Sequence, residues 1–263
     1  MGLPRLVSTA ATMLLILSAS PARAAHPLIS DDAGTIGRGT VQIELNCDIG
    51  SDKSTAAGTS ATTHIAQVAT TIGYGATDTI DLNLGITRPW GSTDIAGTTY
   101  HNAGSTDYSI AMKWRGYEHD GFSVAVKPSF TLSTAVGNKD NYNVASGMAV
   151  VCTRELEPIA LHLNAGYTYI SYHSPEVSAA SKNSIWNFSL AATYELFKER
   201  LKLATDFGVN SNQERGNDKL PAFALAGIIY TINKNVDIST GIKFGLNDAA
   251  DDITGTFGLT LTF

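Results

Sequence analysis

The chain is poor in the residues that would mark it as a redox, metal or catalytic protein. Two cysteines, Cys47 and Cys152, occur in 263 residues, with no C-x-x-C or C-x-x-C-H. A disulfide framework, a cysteine zinc site and haem attachment therefore have no support. Charged residues make up 16% of the chain and acids exceed bases by 24 to 18, which disfavours nucleic acid as a partner. After residue 24 no apolar run approaches the roughly 20 residues that a membrane-spanning helix needs. G-x-S-x-G, H-E-x-x-H and a Gly-rich phosphate loop are also missing, so no enzyme class is indicated and no cofactor is expected.

What is present begins with an export signal. Arg5 precedes the apolar core Met13-Leu14-Leu15-Ile16-Leu17, and Ala22-Arg23-Ala24 has the small-x-small form of a signal peptidase site. Residues 1–24 are expected to be a cleaved signal peptide; a buried N-terminal helix fits less well, because the core is short and Pro27 follows closely. Removing Arg5 and Arg23 leaves 16 basic against 24 acidic side chains, a mature charge of about −8. Residues 25–39 have no sustained period and are read as a periplasmic lead-in. Within it Asp31 and Asp32, near His26, are read as turn and capping residues rather than a metal site.

From residue 40 onward the pattern is period two. Val41, Ile43, Leu45, Cys47 and Ile49 alternate with Gln42, Glu44, Asn46 and Asp48, and the same alternation returns down the chain to Ile253–Phe263. About twelve such stretches are joined alternately by short turns and long polar loops, for example at Gly50–Thr63 and from Trp90 to about Gly104. Regular alternation of loop length, strands of about ten residues and aromatics near strand ends (Tyr74, Trp90, Trp114, Tyr169, Trp186, Tyr194) fit an antiparallel transmembrane β-barrel. A soluble sandwich would not alternate its loops so regularly. The expected architecture is thus an all-β barrel over residues 40–263, with short periplasmic turns and long extracellular loops, in a bacterial outer membrane. Pro128 is expected at a bulge or weak pairing, and the stretch Ala222–Ile232, apolar on both registers, leaves its orientation open.

The polar register should line the lumen. It carries the acids Glu44, Asp81, Asp107, Asp206 and Asp237, with Asp48 beside them, and the bases Lys113, Arg115, Lys127, Lys202 and Lys243, with His162. Such charges either select solutes or pair into a ladder that plugs the barrel. His162 could serve a hydrolase, but no oriented serine can be named for it. About twelve strands enclose only a narrow passage. Arg115 and Lys127, with acidic partners, are the expected constriction.

Several stretches carry a likeness to a known family. They are His26-Pro27-Leu28-Ile29-Ser30-Asp31-Asp32-Ala33-Gly34-Thr35 running into Val41-Gln42-Ile43-Glu44-Leu45, then Gly73-Tyr74-Gly75-Ala76-Thr77-Asp78, Asp107 to Arg115 and Leu161 to Tyr167. Over nearly the whole mature chain the sequence resembles the outer-membrane barrels labelled as transporters of the meta-pathway of phenol degradation, with Ser30 where Thr is usual. The resemblance implies passage of small molecules, aromatic or otherwise hydrophobic ones included. The alternative is a plugged structural or scaffold barrel acting through its loops or lead-in.

The terminal Phe263 resembles the C-terminal signal read by the barrel-assembly machinery. The partners expected are that machinery, outer-membrane lipid and small solutes.

Overall fold

The computed structural model describes residues 26–56, 59–102, 104–135 and 142–263. The expected signal peptide lies outside the described residues. Thirteen strands follow in order: β1 Val41–Ala56, β2 Thr59–Gly75, β3 Ile80–Ile95, β4 Thr98–Asn102, β5 Ser105–His119, β6 Phe122–Ala135, β7 Tyr142–Leu156, β8 Ile159–Tyr172, β9 Ser184–Phe197, β10 Leu201–Asn210, β11 Ala222–Asn233, β12 Val236–Gly245 and β13 Ile253–Thr262. A single helical turn and a half, α1 (Pro175–Ala180), lies between β8 and β9 and is started by the Ser174 hydroxyl, which accepts from Val177 N.

Twelve of these strands form a closed antiparallel barrel. Each pairs with its neighbours in the chain, β3 pairs with β5, and β1 pairs with β13 from Gln42↔Thr262 to Ser51↔Ile253, leaving no free edge in lipid. The seam is finished at the rim, where Val41 N donates to Phe263 O and Phe263 N donates to Val41 O. β4 pairs with the far end of β3, from Gly91 to Ile95, and extends that hairpin beyond the wall.

Outward residues are apolar and exposed, as a lipid-facing band requires: Leu84 is 58% exposed, and Phe130, Leu163, Phe207 and Phe257 face the same way. Cys47 and Cys152 lie in this register as free thiols. Trp186 packs against Phe188 with ring centroids 5.4 Å apart. Short turns close one end; one of them, Asp120–Gly121, has φ of 48° and 70°, the left-handed pair that a two-residue hairpin needs.

Two expectations are corrected, and a third, on Pro128, holds in one of its two forms. The stretches Gly50–Thr63 and Trp90–Gly104 are largely strand rather than loop: β1 and β2 pair from Val41↔Tyr74 out to Ala56↔Thr59, and β3 continues to Ile95. Thr-rich polar sequence still favours an extended backbone, and above the bilayer a paired ladder needs no apolar face. Thr63 and Thr93 hydroxyls meet at 3.3 Å, and His64 lies 3.7 Å from Asp94 on this extension. Pro128 sits at a locally weak pairing, as one form of its expectation had it, and not at a bulge. The β5–β6 register matches Ala111 with Ser129 and Trp114 with Val126 but skips the two pairs between, while the true register shift falls at Arg115/Tyr117. Finally, the lead-in is not periplasmic. It lies inside the barrel, because inward polar groups on nine strands offer it hydrogen-bond partners that water in the periplasm would otherwise have to supply.

Candidate functional site

The lead-in forms a strap that enters β1 after Gly39 and runs along the inner wall. At its far end the His26 ring meets Ser239 Oγ (2.9 Å) and Thr256 Oγ1, with Asp48 at 3.8 Å. Pro27 lies on β11 and β12 where both strands carry glycine. A Cβ at Gly227 would stand 2.5 Å from Pro27 Cγ, so the seat exists only because that residue has no side chain. Leu28 packs on Ala204 and Ile229. This contact resolves the doubly apolar stretch of β11: Ile228, Tyr230 and Ile232 face lipid, while Leu225 and Ile229 are buried inward beneath the strap.

Beyond Leu28 the strap's backbone is fastened to wall side chains in succession. Ile29 N and Ser30 N donate to Asp206 Oδ2 (2.8 and 2.7 Å), and Ser30 Oγ donates to Asp206 Oδ1 (2.8 Å) while lying 2.7 Å from Ser189 Oγ, whose hydroxyl can donate to it. Asp31 and Asn164 exchange a pair of bonds, Asp31 N to Asn164 Oδ1 (3.0 Å) and Asn164 Nδ2 to Asp31 O (2.8 Å). Ala33 N donates to Thr153 Oγ1, and Ala33 itself is fully buried against Ala125 and Val151. Ile36 N donates to Asp81, and Thr35 Oγ1 donates to Asp78 O. At Gly75 a side chain would overlap the carbonyl of Gly37.

The strongest tie is ionic. Asp31 receives Lys113 Nζ on one oxygen (2.8 Å) and Lys127 Nζ on the other (2.7 Å), and Lys113 also approaches Asp32 at 3.9 Å. Two lysines on adjacent strands β5 and β6 thus grip one carboxylate of the strap. Such a pair is costly to desolvate but far costlier to break by deleting one partner, since uncompensated charge is then left in the wall. The same aspartates also show the expected turn chemistry, Asp31 Oδ1 accepting from Asp32 N and Asp32 Oδ1 from Gly34 N.

The eleven residues singled out from the sequence separate into groups. Lys113, Lys127, Asp81 and Asp206 hold the strap. His162, 2% exposed, supports it at one remove, its Nδ1 being 3.0 Å from the Thr153 hydroxyl that receives Ala33 N. Arg115 is turned toward the rim, donating to Asp78 O (3.0 Å) and pairing with Glu118 (3.1 Å). Asp107 accepts from Ser105 and Ser133 nearer the other mouth, and Lys243 lies 3.7 Å from Asp251. Lys202 registers opposite Glu195 on β9. Glu44 and Asp237 make no hydrogen bond or ion pair among the described residues and face open space. Sequence reasoning left Ser30 and Asp31 outside the lumen, and it placed Asn46 and Asn164 on the polar register without singling them out.

Space remains beside the strap. A cavity of about 390 Å³ lies between it and the lower wall, with Glu44, Asp81, Asn83, Lys113, Lys127 and Asp237 among its lining residues. A second, of about 270 Å³, is bounded by Asp48, Gln67, Leu225, Lys243, Asp251 and Thr254. His26, Leu28, Ile29 and Asn46 line both. On β1 the first uses Gln42, Glu44 and Asn46 and the second Asn46, Asp48 and Gly50, so the two are stacked along the barrel.

The chain matches the family model described as "Putative MetA-pathway of phenol degradation" over residues 30–263. Among solved structures it is similar to an outer membrane channel from Pseudomonas putida F1, at 15% identity and a TM-score of 0.64, over 88% of this chain and 98% of that one. The translocator domain of the autotransporter NalP from Neisseria meningitidis aligns at 12% identity and a TM-score of 0.56, over 86% and 89%. The NanC porin aligns at 10% and 0.54, over 85% and 98%. No curated protein matches. These likenesses establish the outer-membrane barrel fold, and with the apolar exterior they put the chain in the bacterial outer membrane.

Proposed function

Because the chain belongs to this phenol-degradation family of outer-membrane barrels, we propose that it is a channel passing small solutes, small aromatic compounds included, beside its strap through a narrow charged lumen. One observation carries the reading. The two cavities are stacked along the axis and share the lining residues His26, Leu28, Ile29 and Asn46, so the strap narrows the lumen without filling it. A barrel of twelve strands is already slender, and the strap makes size the first limit on cargo.

Purified protein in planar bilayers should show a small conductance, and liposomes carrying it should take up small solutes such as phenol faster than protein-free ones. Absence of both would refute the channel. The competing reading, a plugged scaffold barrel, draws on the number of wall bonds that hold the strap. It requires that loosening the strap create a conductance the native protein lacks.

A further inference from the structure

The sequence offers bases and acids to the lumen in similar number, with Arg115 and Lys127 as the expected constriction. Folding changes that balance. Lys113 and Lys127 are both spent on Asp31, with Asp32 close by, and Arg115 is spent on Asp78 O and Glu118 at the rim. Lys202 lines neither cavity. What faces the open space without a bonded partner is acidic: Glu44 and Asp237 have none among the described residues. Asn46 adds a third group. Its Oδ1 is buried without a hydrogen-bond partner among the described residues, and Asn46 stands where the two cavities meet. A carbonyl oxygen in that position asks for a donor or a cation.

The whole lining has the same sign. The larger cavity is bordered by five carboxylates and two ammonium groups, and the second by Asp48 and Asp251 against Lys243. A single amino-terminal charge beside His26, where cleavage after Ala24 is expected, would not reverse the excess. In a narrow passage with low-dielectric walls such an excess is focused on whatever enters.

We propose that the lumen is cation-selective and that its polar solutes are small cations and amine-bearing molecules, with Glu44, Asp237 and Asn46 as the residues that set the preference. The strap is part of the selector: by neutralising Lys113 and Lys127 it converts a lumen of mixed charge into an acidic one. This inference rests on the channel reading and is distinguishable from it in one experiment. Reversal potentials measured across bilayers in a KCl gradient should favour K⁺ over Cl⁻ by roughly tenfold, and tetramethylammonium should pass more readily than an anion of similar size. Glu44→Gln with Asp237→Asn should bring the ratio close to unity, and Asn46→Ala should lower cation conductance. Among the described residues none of these side chains has a recorded hydrogen bond or ion pair, so the barrel should assemble, as heat-modifiable migration on gels would confirm. A barrel that conducts without preference, prefers Cl⁻, or keeps its preference in the double variant overturns the inference and leaves the channel standing. No conductance at all overturns both.

Discussion

Replacing Asp31 by Asn tests whether charge holds the strap in the lumen. The substitution keeps size and an acceptor oxygen but removes the anion gripped by Lys113 Nζ at 2.8 Å and Lys127 Nζ at 2.7 Å. Deleting one partner of a buried ion pair typically costs about 3–5 kcal/mol. Lys113 is 12% exposed and Lys127 33%, so part of the penalty is relieved by water and the lower end, about 3 kcal/mol, is the better figure. At 1.4 kcal/mol per factor of ten, the population with the strap undocked should rise about 100-fold. Amide hydrogen exchange reads this directly, because Ile29, Ser30 and Ala33 donate their N–H groups to wall side chains rather than to a strand ladder. Their exchange should accelerate by about the same factor in Asp31→Asn, while ladder amides of β8 and β9 keep native protection. Adding Lys113→Met and Lys127→Met to Asp31→Asn should restore much of the protection, since a buried ion pair replaced by apolar groups of similar volume is often close to neutral. Exchange at the three strap amides that is unchanged in Asp31→Asn, or no slower in the triple variant, would refute the ionic clamp.

Leu28→Ala should remove about 2–3 kcal/mol of apolar packing against Ala204 and Ile229 and accelerate exchange at Ile29 and Ser30 more than at Ile36; equal acceleration would mean that the strap releases as one piece. Deleting Phe263 removes both rim hydrogen bonds to Val41 and the exposed terminal aromatic, so the yield of barrel in the outer membrane should fall; normal yield would count against a role in assembly.

The wall was legible from the sequence because its energetics are local and periodic. An outward side chain meets lipid and an inward one meets the lumen, so period two alone recovers most strands, and alternating loop length recovers their order. Where the chain leaves the bilayer that logic lapses. Residues 50–63 and 90–104 lack an apolar register, yet much of both stretches remains paired as strand, and polarity alone could not separate hairpin from loop. The strap is the opposite case. Its N–H groups go one at a time to Asp206, Asn164, Thr153 and Asp81 on four different strands, so it has fixed structure without any period to reveal it.

A signal for the strap was nevertheless present, spread across distant positions. β11 has Leu225 and Ile229 on a register that faces a supposedly wet lumen, alongside Gly227. Apolar side chains at that place are unfavourable unless something dry covers them, and a glycine between them marks where a backbone or ring comes close. The two lysines make the same point. Lys113 on β5 and Lys127 on β6 bring two like charges together on one face of the wall, an arrangement that repels unless an anion lies between them. No residue on either strand supplies it, and the sequence assigned Asp31 to a turn. The unmet needs of the wall, an apolar cover over β11 and a carboxylate over β5 and β6, together describe Leu28 and Asp31 of a segment that crosses from one to the other.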